Sequence, residues 1–162
     1  ALYVLLRLEH IALQSNFGNP TENFNSENHL SVYVDEDNSG GSYEDSYNAF
    51  AYQISPTNIS VFKDQNKKPR TAHHAVYSVL KNYGTTSYWE LRITNFDSAY
   101  QSNKPNEAVS LKPGKLMGYA LAFEHVDAKA TNTILGSVAI PEDYEGRINL
   151  DAGLFETLKL IQ

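Results

Sequence analysis

The sequence predicts an all-β chain: an antiparallel β-sandwich of the jelly-roll or immunoglobulin-like kind, with little helix. Three observations predict it. Apolar residues recur with a period of two in most segments, and Val, Tyr, Ile and Phe dominate those segments. Clusters of Gly, Pro, Asn, Asp and Ser separate them, as expected of short half-buried strands joined by polar turns. No stretch of ten or more residues carries a helical stripe.

Residues 2–13, LYVLLRLEHIAL, mix alternation with a nearly continuous apolar run and read as a well-buried strand. Residues 29–35, HLSVYVD, alternate, with Leu30, Val32 and Val34 on one face. NAFAYQIS (48–55) and NISVFKD (58–64), separated by Pro56 and Thr57, read as two strands and a tight turn. HHAVYSVLKNYG (73–84) is compatible with a short helix or a strand, and the strand is favoured because Ala75, Tyr77 and Val79 alternate and Val and Tyr favour pleated surfaces. It pairs with SYWELRITNF (87–96) across a turn in which Gly84 takes positive φ. A long connection, 97–115, contains the turn KPG. LMGYALAFEHVD (116–127) is strand, the following stretch holds short strand pieces, and LFETLKLIQ (154–162) closes the chain as a strand. With neither repeats nor low-complexity linkers, residues 1–162 read as one domain.

Composition excludes several function classes. The chain of 162 residues carries 13 basic and 19 acidic residues, a net charge of −6. That field repels a phosphate backbone, and the one basic knot, DQNKKPR (64–70), lies in a turn-like stretch, so nucleic acid is not an expected partner. No apolar run is long enough to span a membrane as a helix. With no cysteine, disulfides, thiolate metal sites and cysteine nucleophiles are excluded. No nucleophile elbow, zinc helix motif or Gly-rich phosphate loop occurs, and an enzyme is not expected. Abundant Asn, Ser, Thr and Tyr with few Lys suggest an extracellular or cell-surface chain facing polysaccharide.

The segment DEDNSGGSYED (35–45) concentrates chemistry. Asp35, Asp37, Asn38, Ser39, Glu44 and Asp45 place six oxygen-bearing side chains within eleven residues, and Gly40 and Gly41 let the backbone turn. Calcium takes six to eight oxygens in irregular geometry, so the loop is chemically apt for it. A helix-loop-helix calcium site is excluded, because its twelfth position is Ser46 and a strand precedes it. A hydrated hairpin loop is the other reading.

Sugar recognition uses flat aromatic faces with amides and carboxylates beside them. Tyr43, Tyr47, Tyr100 and Tyr144 lie in polar, loop-like surroundings, with Gln101 and Asn103 near Tyr100. These are the candidate ligand-binding residues; core membership is the competing reading for each. Trp89, between Tyr88 and Glu90, reads as core. His73 and His74 are adjacent on a strand, so they point to opposite faces and do not ligate one ion.

Four stretches in order resemble the family-9 carbohydrate-binding modules and related DOMON-like sandwiches: ALYVLLRLEH, HLSVYVDEDNSGG, YWELRITNF and LKPGKLMGYALAFEHVD, with FETLKL fitting a final strand. The chain departs from that pattern at Asn28 and Ser31, where the family carries acidic residues, and in AKATNTILGSVAIP, which lacks its Arg and tryptophans. The resemblance implies a non-catalytic, calcium-stabilised carbohydrate-binding module. It also implies a strand ahead of Ala1, absent here or contributed by a neighbouring chain. A strand-complemented assembly subunit of an extracellular filament or surface layer, with a protein partner and calcium, is the alternative. A haem-binding electron-transfer domain using Met117 with His73, His74 or His125 is the third.

Overall fold

In a computed structural model of the chain, residues 1–9, 13, 28–126, 132–141 and 146–161 are described. Two antiparallel sheets form the body, as the period-two pattern predicts. The first is three-stranded: β1 (Leu2–Glu9), β7 (Thr86–Ile93) and β6 (Val76–Tyr83), in the order β1-β7-β6. The second has the order β10-β8-β2-β3-β4-β5, where β2 is His29–Asp35, β3 Phe50–Ile54, β4 Ser60–Lys63, β5 Pro69–Thr71, β8 Leu116–Val126 and β10 Glu156–Lys159. β9 (Asn132–Gly136) also pairs with β8. β2 occupies one edge of β8 from Gly118 to Glu124. The opposite edge is therefore shared, by β10 over Leu116–Tyr119 and by β9 over Ala122–Val126.

The core lies between the sheets. On β7, Trp89, Leu91 and Ile93 point inward and are 2% exposed or less, while Glu90 and Arg92 point to solvent. Leu30, Val32, Ile54, Met117 and Phe123 meet them from the second sheet. β2 is buried along its whole length, including His29, Ser31 and Asp35, because it is a central strand whose ends are also covered. An aromatic cluster closes one end of the core. Phe50 stacks on both Tyr47 and Tyr52, and Tyr100 meets Phe50 edge-on at 5.2 Å.

The short strand β5 has no alternating pattern to announce it. It forms because the turn before it is locked: Lys67 adopts positive φ, and Asp64 holds the turn from inside. Met117 is buried in the core, His74 bonds to the Tyr100 hydroxyl, and His125 bonds to Asn28.

Candidate functional site

The loop after β2 is organised by Asp35, whose side chain is fully buried at the strand end. Asp35 Oδ2 accepts from the Gly40 N–H at 2.7 Å and Oδ1 accepts from the Asp37 N–H at 3.3 Å. Asp37 Oδ1 in turn accepts from the Ser39 N–H. Asn38, Gly40 and Gly41 take positive φ, which tightens the loop over these carboxylates. Burial pushes the Asp35 carboxyl up, the Gly40 N–H pulls it down, and the neighbouring Asp37 carboxyl raises it again; the result lies above the ordinary value. Asp37 moves the other way, held low first by Ser39.

The six residues expected to share an ion do not form one group. Asp35 and Asp37 are in contact, and neither takes part in an ion pair among the described residues. Asn38 Oδ1 accepts from Thr157 Oγ1, and Ser39 Oγ bonds to Asn48 Oδ1. Glu44 and Asp45 instead face Lys67, which Glu44 holds protonated above its ordinary range. Among the described residues no three His, Cys, Asp or Glu side chains converge as a metal-ligating group. Of the six, Asp35 and Asp37 are the two carboxylates that meet, and among the described residues no cationic side chain pairs with either.

The expected sugar platforms lie elsewhere than their polar neighbours suggest. Tyr43 is buried, donates from its hydroxyl to the Ile148 carbonyl at 2.6 Å and meets Phe155 edge-on. Tyr47 is buried and stacked on Phe50. Tyr100 is 6% exposed. Tyr43 and Tyr47, buried among protein side chains, present no open ring face to a pyranose and are core members; Tyr100 packs in the same aromatic cluster as Tyr47 but also borders the surface. Gln101 and Asn103 are exposed, and Tyr144 lies outside the described residues.

What the structure does assemble around Tyr100 is a polar loop over an aromatic floor. Asn106 organises it: its Oδ1 accepts from the Gln101 N–H at 2.7 Å, and its Nδ2 donates to the carbonyls of Gln101 and Lys104. Asp97 starts the loop, accepting from the Ala99 N–H, and Tyr100 N–H returns to the Asp97 carbonyl. Tyr100 and His74 stack 5.7 Å apart and share a 2.7 Å hydrogen bond. Burial raises the Tyr100 hydroxyl and lowers His74, the latter further depressed by His73. Two depressions flank the loop, of about 270 and 320 Å³. Phe96, Tyr100, Lys104, Pro105 and Asn106 line both, Gln101 and Glu107 the first, and His74 the second. Of the expected ligand-binding residues, Tyr100 and Gln101 thus meet in one place. His74, Lys104 and Asn106 were not anticipated. The run QSNKPN (101–106), dense in amides around a proline, is a signal that could have marked Lys104 and Asn106, but it does not reach His74.

No family model and no curated protein matches the sequence. Solved structures do match the fold. Two are of a family-9 carbohydrate-binding module from Caldicellulosiruptor kristjanssonii, one in complex with cellotriose and one with glucose. Each is 19% identical, at a TM-score of 0.66, over 98% of this chain. The match takes in 68% and 69% of those chains. The resemblance of the sequence motifs and the likeness of the folded chain converge: the β-sandwich has the fold of a family-9 carbohydrate-binding module.

Proposed function

We propose that the chain is a non-catalytic carbohydrate-binding module, working outside the cell, that takes short β-linked sugars at the loop spanning residues 97–108. The fold likeness across 98% of the chain to modules solved with cellotriose and glucose carries this reading. The loop supports it chemically. Amide groups of Gln101 and Asn106, the Lys104 ammonium and the Glu107 carboxylate surround two open depressions with apolar floors, the combination that hydroxyl-rich, one-face-apolar ligands require. In isothermal titration with cellotriose, Gln101→Ala combined with Lys104→Ala weakens binding at least tenfold, since each lost hydrogen bond to a charged or amide group is worth about 1–2 kcal/mol. Undiminished affinity removes the loop from the proposal, and a chain that binds no oligosaccharide ends it.

The same reading includes calcium as a structural ion. Asp35 and Asp37 would hold it, and it would offset the cost of two adjacent carboxylates, one of them buried. It supplies rigidity to the loop and takes no part in a reaction. Saturating calcium should raise the melting temperature, by the equivalent of about 2.7 kcal/mol at a hundred times its dissociation constant, and EDTA should reverse the rise. In Asp35→Asn combined with Asp37→Asn the calcium-dependent increment should vanish. An unchanged increment in that variant would place any ion elsewhere.

A further inference from the structure

The outer face of the β1-β7-β6 sheet is a second ordered surface. Strand alternation sends Val4, Leu6 and Leu8 of β1 inward with Trp89, Leu91 and Ile93 of β7. The opposite face should then be polar. Instead Tyr3 is 74% exposed, Leu5 64%, Tyr77 65% and Tyr83 64%. Scattered exposed apolar residues need no explanation, but a contiguous group marks a binding surface. Register makes Tyr3, Leu5 and Tyr77 neighbours at one end of the face, while Tyr83 lies at the other end, opposite Thr86. Tyr3 and Tyr77 both stand opposite Arg92, forming the row Tyr3–Arg92–Tyr77. The next rows are Leu5–Glu90–Val79 and Arg7–Tyr88–Lys81.

Two properties of the face select the occupant. The first is area. Three strands of eight residues present about 14 Å by 27 Å, from strand spacing and rise. That flat footprint is about half of the ~800 Å² that each partner contributes to a stable protein interface, which disfavours a second copy of the chain and suits a narrow ligand. The second is charge. Arg7, Lys81 and Arg92 are balanced by Glu9 and Glu90, and Arg7 pairs with Glu9 at 2.6 Å. On a chain of net charge −6 this is a near-neutral face, matched to an uncharged partner rich in hydroxyls.

Spacing narrows the class. Tyr3 and Tyr77 are two strand spacings apart, about 9–10 Å, close to the disaccharide repeat of an extended β-1,4-linked glucan, in which alternate rings present the same face. Arg92 lies between them, where the intervening sugar brings its hydroxyls. Sheet twist turns the two aromatic platforms by about 40–50° relative to each other, which suits a single twisting chain better than a flat crystalline surface. We infer that the outer face of β1-β7-β6 is a second carbohydrate site, binding one extended β-1,4-glucan chain across the strands along Tyr3, Arg92 and Tyr77. The inference rests on the carbohydrate-binding reading above but concerns a separate surface.

The test compares a soluble long-chain β-1,4-glucan, read by affinity electrophoresis, with glucose, read by titration calorimetry, because one ring is too short to bridge Tyr3 and Tyr77. Tyr3→Ala combined with Tyr77→Ala should reduce long-chain affinity at least tenfold and leave glucose binding at the loop unchanged. Tyr3→Phe combined with Tyr77→Phe should retain long-chain binding, because the rings remain. All four substitutions are at exposed positions, and an unaltered melting temperature confirms the fold. Long-chain binding that survives the double alanine variant overturns the inference. So does a protein that binds glucose but no long chain, an outcome that leaves the loop site standing. A protein that binds neither ends both proposals. A dimer seen by sedimentation and dispersed by the double alanine variant, without glucan dependence, reassigns the face to self-association.

Discussion

Trp89→Ala should unfold the domain more readily than any exposed substitution, lowering stability by about 3–5 kcal/mol. Trp89 is 0% exposed and sits at the centre of β7, where Leu6 and Leu80 pair with it from both sides. Alanine removes the largest fully buried side chain, and a close-packed interior relaxes only partly around the space left behind. The indole N–H sharpens the test. It is buried and has no hydrogen-bond partner among the described residues, so it costs desolvation without return. Trp89→Phe keeps most of the volume and removes that N–H, and should cost about 1.5 kcal/mol or less. Urea denaturation with a shared slope for the three proteins measures both differences. A phenylalanine variant as unstable as the alanine variant would mean that the N–H is satisfied and is the main contribution of the residue.

The two-sheet body was legible because the information is local. Period-two alternation in β2, β3, β7 and β8 records which face meets the core, strand by strand. β5 was not legible: Pro69, Arg70 and Thr71 carry no apolar face, and the strand exists because Asp64 folds the preceding turn back. The tyrosines show where local reading ends. Tyr43 and Tyr47 sit among Ser, Asp and Asn and read as a wet loop. Tyr43 is buried because a distant segment closes over it: its N–H donates to the Leu150 carbonyl, and Ser42 bridges to Asp151, while Tyr47 is buried against Phe50, Phe62 and Tyr100. Nothing within a short window of sequence announces a contact across more than a hundred residues. Conversely Tyr3 and Tyr77, in strands with aliphatic neighbours, read as interior and lie in solvent. Alternation was the usable clue, because Tyr3 and Leu5 fall on the face opposite to Leu2, Val4, Leu6 and Leu8.

Asp64→Ala should be the second most damaging change, at about 2–3 kcal/mol, with the loss centred on the β4–β5 turn. The Asp64 side chain is 2% exposed. Its Oδ1 accepts from the N–H groups of Asn66 and Lys68 at 2.9 and 3.0 Å, and its Oδ2 accepts from Arg70 Nε at 2.8 Å. The backbone of Asp64 closes the same turn, to Lys67 and Lys68, and Lys67 is held at φ +61°. Alanine leaves these donors without their acceptor and the left-handed lysine without its anchor. Burial alone would raise the Asp64 carboxyl, but the Lys68 N–H, the Arg70 side chain and the Asn66 N–H outweigh it and hold the group below its ordinary value of 3.8. The sign of the pH dependence follows. A depressed carboxyl contributes stability that is present above pH 3.8 and is lost as the pH falls through the folded value. The stability gap between the native chain and Asp64→Asn, which keeps an oxygen for the turn but no charge for Arg70, should therefore be widest near neutrality and close as the solution is acidified below pH 3.8. Hydrogen exchange should show early opening of residues 65–71 in the alanine variant while β7 stays protected. A gap between native chain and Asp64→Asn that is independent of pH would mean that shape, and not the carboxylate charge, secures this turn.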